Sequence, residues 1–311
     1  NSPAVKVLSA DIASVERTKP LYYSRDPKFS ATVLAVSENK YVVLDQTAFY
    51  PEGGGQAFDT GSLDGVPLTM VTKPAGIALH WVKDTSRFRK GQTVAGVVDL
   101  NRRMVIARHH TAAHMLNAAC RFVLGPHIWQ GGSHKDDEKA HLDVTHYKKI
   151  TPEEIAAIEQ KVNEYVMQNL SIVTEVLPRN LAESKYGFTL YQGGAVPGKE
   201  LRVVSIGDID SEACGGTHTM LSKTGEIGCF KIVKRESVQD GIERITYKCG
   251  SVAIAYMQER EKLLKDACEV VSISEGELVR TMERFFNEWK TQRKQIEELS
   301  SLLVKDEARE I

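Results

Sequence analysis

The stretch Asn101–Pro126, NRRMVIARHHTAAHMLNAACRFVLGP, predicts a helix that carries two histidines on one face. Its apolar residues recur at roughly helical spacing, and Gly125-Pro126 ends the run. His110 and His114 are four residues apart, so a helix places one above the other, where both can chelate one ion. The spacing therefore predicts one half of a metal site.

A second pair of ligand-type residues, Cys214 and His218, follows about a hundred positions later in DSEACGGTH. Gly215 and Gly216 between them let the backbone turn and bring thiolate and imidazole together. Either pair alone is a weak signal, because histidines on a helix often only pack and small buried cysteines are common. Together they supply four ligands, the number that a tetrahedral zinc ion takes, and they predict one Zn²⁺ per chain.

The other histidine and cysteines near these motifs are interpreted as structural. His109 lies one position off the ligand face and is expected to be capped or solvent-facing. Five cysteines at irregular spacing argue against a disulfide framework and for a reducing, cytoplasmic compartment. We interpret the remaining thiols as buried or incidental: Cys120, Cys229, Cys249 and Cys268.

Composition excludes several classes of protein. The chain has 311 residues, 42% of them hydrophobic, and no run of eighteen apolar residues, which predicts a soluble globular protein. It begins with Asn and ends inside a predicted helix, so we expect a piece of a longer polypeptide. A net charge of -1 means that any RNA contact must be local. Basic residues that either contact RNA or form a solvated face flank the ligand motifs: Arg102, Arg103, Arg108, Lys231, Lys234, Arg235 and Arg244.

The first region, residues 1–100, is predicted to be a small β-barrel domain. Short apolar or alternating runs such as FSATVLAVS, KYVVLD and QTVAGVVDL are separated by turns rich in glycine or charge. In their midst stands TAFYPEGGGQAFDTG, whose Gly53, Gly54 and Gly55 permit positive φ and close approach by a ligand or another backbone. No phosphate-loop pattern accompanies these glycines, so a tight loop without function is the alternative.

The second region, residues 101–250, is predicted to be an α+β domain. Thr151-Pro152-Glu153-Glu154 forms a capping box with proline at the first helical position. LSIVTEVLP, ELRVVSI, CFKIVKRES and ERITYKCG are typical of strands. We therefore expect helices packed on one face of a largely antiparallel sheet.

The third region, residues 251–311, is predicted to be helical. Its later half carries a heptad-like apolar seam: Leu278, Met282, Phe285, Trp289, Ile296, Leu299 and Leu303. This seam predicts either a homodimer through the C-terminal helices or an antiparallel helical hairpin within one chain.

The ordered motifs resemble one family. TAFYPEGGGQAFDTG, RHHTAAHMLNAAC, WQGGS with LDVTHY, SEACGGTH and TGEIGCFKI follow one another as in the editing region of alanyl-tRNA synthetases and the related free-standing editing proteins. KAHLDVTHY and WQGGSHK look most like the archaeal-type synthetases. The resemblance covers about residues 22–250, and the helices after residue 251 resemble the linker toward the synthetase's C-terminal dimerisation domain.

The resemblance implies a deacylase that hydrolyses Ser-tRNA(Ala) and Gly-tRNA(Ala) at the 3′ adenosine ester. It also implies a parent synthetase, a ligase that uses ATP to attach alanine to tRNA(Ala), with this ligase activity located outside the present segment. By motif, His110, His114, Cys214 and His218 match the family's zinc ligands, and Gln130 matches a glutamine of the editing pocket. Substrate binding is expected at the two glycine motifs: Gly53, Gly54, Gly55, Gly215 and Gly216. Ala113 departs from the threonine of many bacterial relatives.

The residues leave the role of the metal and the source of specificity open. Four protein ligands leave no open position, so the zinc is either catalytic, with one ligand yielding to water, or only positioning or structural. Serine is larger than alanine, so a pocket that prefers serine needs a hydrogen-bond partner for its hydroxyl. Thr47, Gln56 and Thr111 are the expected partners.

Other classes of function remain as alternatives. One is a free-standing aminoacyl-tRNA deacylase that acts in trans. Another is a generic zinc hydrolase, although no HExxH glutamate accompanies the histidines. The last is a non-catalytic module that binds tRNA, dimerises and uses zinc only to hold its fold.

Overall fold

The structure is a computed structural model that describes residues 15–38 and 40–307, with side chains to residue 302. The chain forms two compact units, the first ending at Ile254 and the second beginning at Ala255. No helix in the described part of the chain is both long enough and apolar enough to span a membrane.

The first unit opens with a closed six-stranded β-barrel, which confirms the predicted barrel. Its strands alternate apolar residues toward the interior, as a half-buried strand requires, and Val42, Leu44 and Leu63 are fully buried there. The barrel strands, in spatial order around the barrel, are β2 (Lys28–Ser37), β3 (Tyr41–Leu44), β7 (Leu79–Val82), β6 (Val66–Thr72), β5 (Gly61–Leu63) and β8 (Thr93–Val98). A short parallel pair, β1 (Lys19–Pro20) with β4 (Gln46–Thr47), lies beside it.

The predicted ligand helix is α1 (Leu100–Leu124). Its N-cap is Asp99, whose carboxylate accepts a hydrogen bond from the Arg102 amide, and it ends at Gly125, where φ is 117°. The helix is buried along most of its length because the α+β domain packs around it. The predicted capping box at Thr151 begins a second helix, α2 (Pro152–Met167), that packs against α1.

Two antiparallel sheets accompany these helices, where the sequence had suggested one. The larger has the spatial order β14 (Phe230–Gln239), β15 (Ile242–Cys249), β10 (Ala140–Thr145), β9 (Gln130–Lys135). The smaller joins β11 (Ile172–Pro178), β12 (Glu200–Ile206) and β13 (Asp210–Ala213), next to the short helix α3 (Arg179–Tyr186). The α+β class is as predicted. Strands β9, β10 and β13 were not predicted.

An ion pair and a backbone pairing are among the contacts between the barrel and the α+β domain within the first unit. The Arg103 side chain of α1 is 1% exposed and donates hydrogen bonds to the Asp59 carboxylate, at 3.2 and 3.1 Å from its Nε. Strand β9 receives the glycine-rich loop: the Lys135 amide donates to the Gly55 carbonyl, and the Ala57 amide donates to the Lys135 carbonyl. These contacts fix the loop relative to the ligand helix.

The second unit is helical, as predicted. It contains most of α4 (Gly250–Val270) and all of α5 (Leu278–Glu307), which are connected by a turn and one 3-10 turn. The seam residues of α5 are largely exposed, with Met282 43%, Phe285 41% and Trp289 51% accessible. These seam residues therefore remain largely accessible in the described part of the chain. Leu303 has no described side chain, so its predicted place in the seam lies outside the described part.

Candidate metal centre and adjoining cavity

The two predicted ligand pairs come together in the structure. His110 and His114 project from α1, while Cys214 and His218 bracket the loop between β13 and a 3-10 turn. One ligand atom from each residue lies within 4.8 Å of the others. The Cys214 Sγ is 3.5 Å from His110 Nε2 and 3.3 Å from His218 Nε2. Zinc bonds to nitrogen and sulfur place tetrahedral ligand atoms about 3.3–3.8 Å apart, so these four residues fit a metal ion.

The outward ring nitrogen of each histidine is held by a neighbour. His110 Nδ1 donates to the Gln56 Oε1 at 2.8 Å, and His114 Nδ1 donates to the Asp210 Oδ2 at 2.9 Å. His218 Nδ1 pairs with the Thr111 hydroxyl at 3.0 Å. Because each Nδ1 is engaged, each Nε2 presents its lone pair to the centre of the cluster. Such outer contacts fix the tautomer and the ring orientation of metal-binding histidines.

Local electrostatics favour the metal-binding protonation states of His110, His218 and Cys214. At His114, burial lowers the pKa, but the negative charge of Glu212 and the hydrogen bond to Asp210 outweigh burial and raise that pKa well above its ordinary value. Burial, followed by the positive charge of Lys135, lowers the pKa of His110 well below its ordinary value. Burial and the charge of His114 do the same for the pKa of His218. Burial alone raises the pKa of the Cys214 thiol, but its hydrogen bond with His114 and nearby positive charges outweigh burial and lower that pKa. Neutral imidazole and thiolate are the forms that bind metal.

Behind His114 lies a carboxylate pair that the sequence analysis did not assign. Asp210 and Glu212 are buried on β13, with Glu212 Oε2 3.4 Å from His114 Nδ1. Arg121 donates to the other Asp210 oxygen at 2.9 Å, and Asn117 donates to Glu212. The alternation DSE before Cys214 carries the signal that could have revealed them, because residues two apart on a strand share a face. These carboxylates orient His114.

Glycine is required at Gly216 between the second pair of ligands. A Cβ there would lie 2.4 Å from the His110 ring and 2.9 Å from His218 Nε2. At Gly215 the nearest atom to such a Cβ is the Tyr23 hydroxyl at 3.8 Å, an ordinary contact. The backbone of Gly216 thus passes directly against two ligands, and only glycine allows that approach.

The glycine-rich loop has a similar requirement at Gly55. Its φ is +72°, and a Cβ would lie 2.2 Å from the Ser133 carbonyl oxygen of β9. The Lys135 side chain is 2% exposed and its ammonium donates to the Ser133 hydroxyl at 2.5 Å and the Gly54 carbonyl at 3.4 Å. Burial lowers the pKa of Lys135 to about 8. Backbone and side chain of one strand residue therefore fix this loop.

We call His110, His114, Cys214 and His218 the ligand cluster, and a cavity of about 250 Å³ opens beside it. Two of the four ligands, His110 and Cys214, line it. Both glycine segments and an aromatic wall line it too: Tyr22, Tyr23, Tyr50, Pro51, Glu52, Gly53, Gly54, Lys73, Gly215 and Gly216. The Tyr50 hydroxyl donates to the Gly53 carbonyl at 3.2 Å, and the Tyr23 hydroxyl donates to the Gly215 carbonyl at 3.1 Å. One tyrosine thus anchors each glycine segment.

The sequence of this chain is similar to those of known proteins. Residues 201–246 match the family model described as the threonyl and alanyl tRNA synthetase second additional domain. Residues 11–102 match that of class II (A) tRNA synthetases. The chain is 49% identical over 295 residues to the alanine–tRNA ligase of Thermococcus kodakarensis, 93% of this chain and 32% of that protein. It is 45% identical over 287 residues to that of Methanococcus maripaludis C6, 92% of this chain and 32% of that protein.

The chain belongs to the alanyl-tRNA synthetase family. A third relative, the alanine–tRNA ligase of Pyrococcus furiosus, is 48% identical over 295 residues, which is 93% of this chain and 32% of that protein. The chain therefore spans about a third of the length of the curated relatives it matches. The resemblance to archaeal-type synthetases inferred from the ordered motifs is confirmed.

Two of the residues expected to read serine in this alanyl-tRNA synthetase segment hydrogen-bond to ligands. Gln56 and Thr111 are fully buried, and their polar groups hold His110 and His218. The structure buries Thr47 on β4, beside the barrel, where its hydroxyl pairs with His80 Nε2 at 2.8 Å and accepts from the Phe49 amide. Thr47 does not line the cavity.

Gln130 lies on β9, outside the lining of the cavity. Its amide nitrogen Nε2 is 3.4 Å from the Ser133 hydroxyl, which also accepts from Lys135. Its backbone amide donates to the Gln192 side chain. Its link to the glycine-rich loop therefore passes through Ser133 and Lys135. The tyrosines, Lys73 and Lys135 were missed because no local spacing in the sequence marks them.

Two structural expectations were wrong. His109 is fully buried rather than capped or solvent-facing: its Nδ1 donates to the Asp136 carbonyl and its Nε2 accepts from the Cys249 amide. Arg103 cannot contact RNA, because it is buried in the ion pair with Asp59. The other basic residues each have a hydrogen-bond or ion-pair partner and remain at least partly accessible: Arg102, Arg108, Lys231, Lys234, Arg235 and Arg244. The five cysteines are free thiols, as predicted.

Proposed function

We propose that this segment hydrolyses the ester that joins serine or glycine to the 3′ adenosine of alanine tRNA. The observation that carries the proposal is the composition of the cavity. His110 and Cys214 line it together with both glycine segments, so a substrate in the cavity contacts the metal-binding residues directly. A volume of about 250 Å³ suits a small aminoacyl group and part of its nucleoside.

We further propose that the four ligands bind one Zn²⁺ per chain. Three imidazole nitrogens and one thiolate sulfur, all within 4.8 Å of one another, form a donor set typical of zinc. When bound, such an ion supplies a Lewis acid that polarises a carbonyl and acidifies water. With four protein ligands, its alternative role is to position the end of the tRNA.

The chain's own residues provide the remaining functions. Gly53, Gly54 and Gly215 present backbone without side chains, so a substrate can approach the ligand cluster closely. The tyrosine hydroxyls hold these segments in place. Gln56 and Thr111 support the ligands and, together with Thr47, stay as proposed partners of the serine hydroxyl. Gln130 stays as a proposed contributor to hydrolysis.

Membership of the family also suggests an activity, a location and an oligomeric state for the whole enzyme, and we give them as proposals. The relatives are named alanine–tRNA ligases, and we propose that the parent enzyme joins alanine to tRNA with ATP outside this segment. Cytoplasmic location and a homodimer through α4 and α5 belong to the same proposal. The exposed apolar seam of α5 supports the dimer, and sedimentation of the purified chain tests it.

Release of free amino acid from charged tRNA tests the proposed hydrolysis. The chain is incubated with Ser-, Gly- and Ala-tRNA(Ala), with and without a zinc chelator. We expect release of serine and glycine well above that of alanine, and loss of release on chelation. No release from either mischarged tRNA would contradict the proposal and leave a non-catalytic tRNA-binding module. Release from small esters or peptides but not from tRNA would favour a generic hydrolase.

A further inference from the structure

One cation faces the cavity from its edge. Among the described residues that line the cavity, Lys73 is the only lysine or arginine, and Glu52 is the only carboxylate residue. Lys73 follows β6 and is exposed, whereas the tyrosines beside it are largely buried. In the described part of the chain its ammonium makes no ion pair, and its hydrogen bond goes to the Tyr22 hydroxyl at 2.9 Å.

Tyr22 holds the Lys73 ammonium in place. Tyr22 is 4% exposed, and its ring packs edge-on against Tyr23 and Tyr50, with centroids 4.8 and 5.2 Å away. The ammonium lies 5.5 Å from the centre of the Tyr22 ring. An ammonium has three donors, and Tyr22 uses one. Lys73 therefore presents a partly ordered cation with two free donors at the edge of the cavity.

Two other cations contact residues that line the cavity, and both are directed inward. Lys135 is buried and donates to Ser133 and Gly54. Arg202 donates from Nη1 to the Cys214 carbonyl at 2.6 Å and stacks 4.2 Å above the Tyr23 ring, while its Nη2 is buried. Both donate to oxygen atoms of the protein itself, whereas Lys73 is exposed and keeps donors for a ligand that enters from outside.

We infer that Lys73 binds a phosphodiester of the substrate, the one that links the terminal nucleoside to the nucleotide before it. This inference rests on the proposed function. An aminoacyl ester held against His110 and Cys214 places its nucleoside toward the opening of the cavity. The first anionic group beyond that nucleoside is this phosphate, and a phosphate recruits an exposed ammonium. With a net charge of -1, the chain must obtain such attraction locally.

A pair of charge-neutralising variants tests the inference. Lys73→Gln removes the cation at the cavity, and Lys90→Gln removes an exposed cation from a barrel turn outside the cavity. Each variant and the wild type are assayed on two substrates, Ser-tRNA(Ala) and 3′-seryl-adenosine, which lacks every phosphate. The value of kcat/KM is measured over a range of salt concentrations.

We expect Lys73→Gln to lose about fivefold more on Ser-tRNA(Ala) than on seryl-adenosine. We also expect the slope of log kcat/KM against log salt to fall by about 0.7, the value for one single-strand phosphate. Lys90→Gln should match the wild type on both substrates. Equal losses on both substrates, or a response no different from that of Lys90→Gln, would overturn the inference. A wild type that releases no serine from either substrate would instead contradict the proposed function.

Discussion

Each histidine of the ligand cluster has one ring nitrogen hydrogen-bonded to a neighbour and one directed inward. The neighbours are Gln56, Asp210 and Thr111, and they lie on three different segments of the chain. The ligand residues themselves follow from local spacing in the sequence, four apart on a helix and four apart across two glycines. Their supports do not, because Gln56 meets His110 across 54 positions and Asp210 meets His114 across 96.

The backbone of Gly216 gives a direct test of the cluster. Gly216→Ala places a methyl group against the rings of His110 and His218, so we expect the dissociation constant for zinc to rise by at least about tenfold. Gly215→Ala, where the added methyl meets only an ordinary contact, should keep metal affinity within about twofold. Competition with a chromophoric chelator measures both constants. Equal affinities in the two variants would show that the loop does not approach the ligands as described.

His80 predicts a pH dependence of barrel stability. Its Nδ1 donates to the Val42 carbonyl and its Nε2 accepts from Thr47, and burial lowers its pKa from 6.5 to about 4. The unfolded chain therefore binds one more proton between these values, so stability is full above pH 6.5 and falls as the pH drops toward 4. This group contributes about 3 kcal/mol to that fall.

Urea unfolding at pH 7 and pH 4.5 measures the effect of His80. We expect His80→Gln to be less stable than the wild type at pH 7 but to lose less stability on acidification. His134→Gln changes an accessible histidine, whose side chain is 45% exposed, and serves as the matched control. We expect it to keep the wild-type pH dependence. A His80→Gln variant with the wild-type pH dependence would refute the assigned cause.

A buried ion pair connects the barrel to the ligand helix α1. Arg103 of α1 and Asp59 of the barrel have side chains that are each 1% exposed, and Asp59 also accepts from the Tyr50 amide. Removing one partner of such a pair leaves an uncompensated buried charge. The pair therefore links the position of α1 to the tyrosine wall of the cavity.

We expect Arg103→Met to lower the free energy of unfolding by about 3–5 kcal/mol. Arg102→Met is the control, because Arg102 pairs with the more accessible Asp137 and should cost about 1 kcal/mol or less. In the double variant Arg103→Met with Asp59→Leu, part of the loss should return, since no charge stays buried alone. Chemical denaturation of the three variants decides. Equal costs for the two single arginine variants would contradict the account.

How far the elements could be predicted depended on their local patterns. Five of the six barrel strands, α1, α2 and strand β12 carry clear alternation, periodicity or caps, and the structure confirms them. Strand β5 has only three residues and was not predicted. Strand β9 contains Gly131 and Gly132, and β13 has only four residues, so the strand pattern of each is weak. Strand β9 is stabilised instead by its pairing with β10 and by the glycine-rich loop, contacts that only the folded chain shows.

In the whole molecule, the first unit contains the ligand cluster, the cavity and the barrel that walls it. Thr47 illustrates why the composition of the cavity could not be read from its motif. The glycine-rich motif includes Thr47, but the barrel directs its hydroxyl to His80, 33 positions away. The tyrosines and Lys73 reach the cavity from separate segments, so the fold, and not the motif, determines what a substrate meets.

We propose that the ligand cluster makes this segment a metal-dependent deacylase. Serine release from Ser-tRNA(Ala), measured while zinc is titrated back into chelated protein, tests this proposal most directly. We expect a rate that rises in proportion to bound zinc and levels off at one ion per chain, with no such rise in a Cys214→Ala variant. Full release from metal-free protein, or no release at full occupancy, would contradict it.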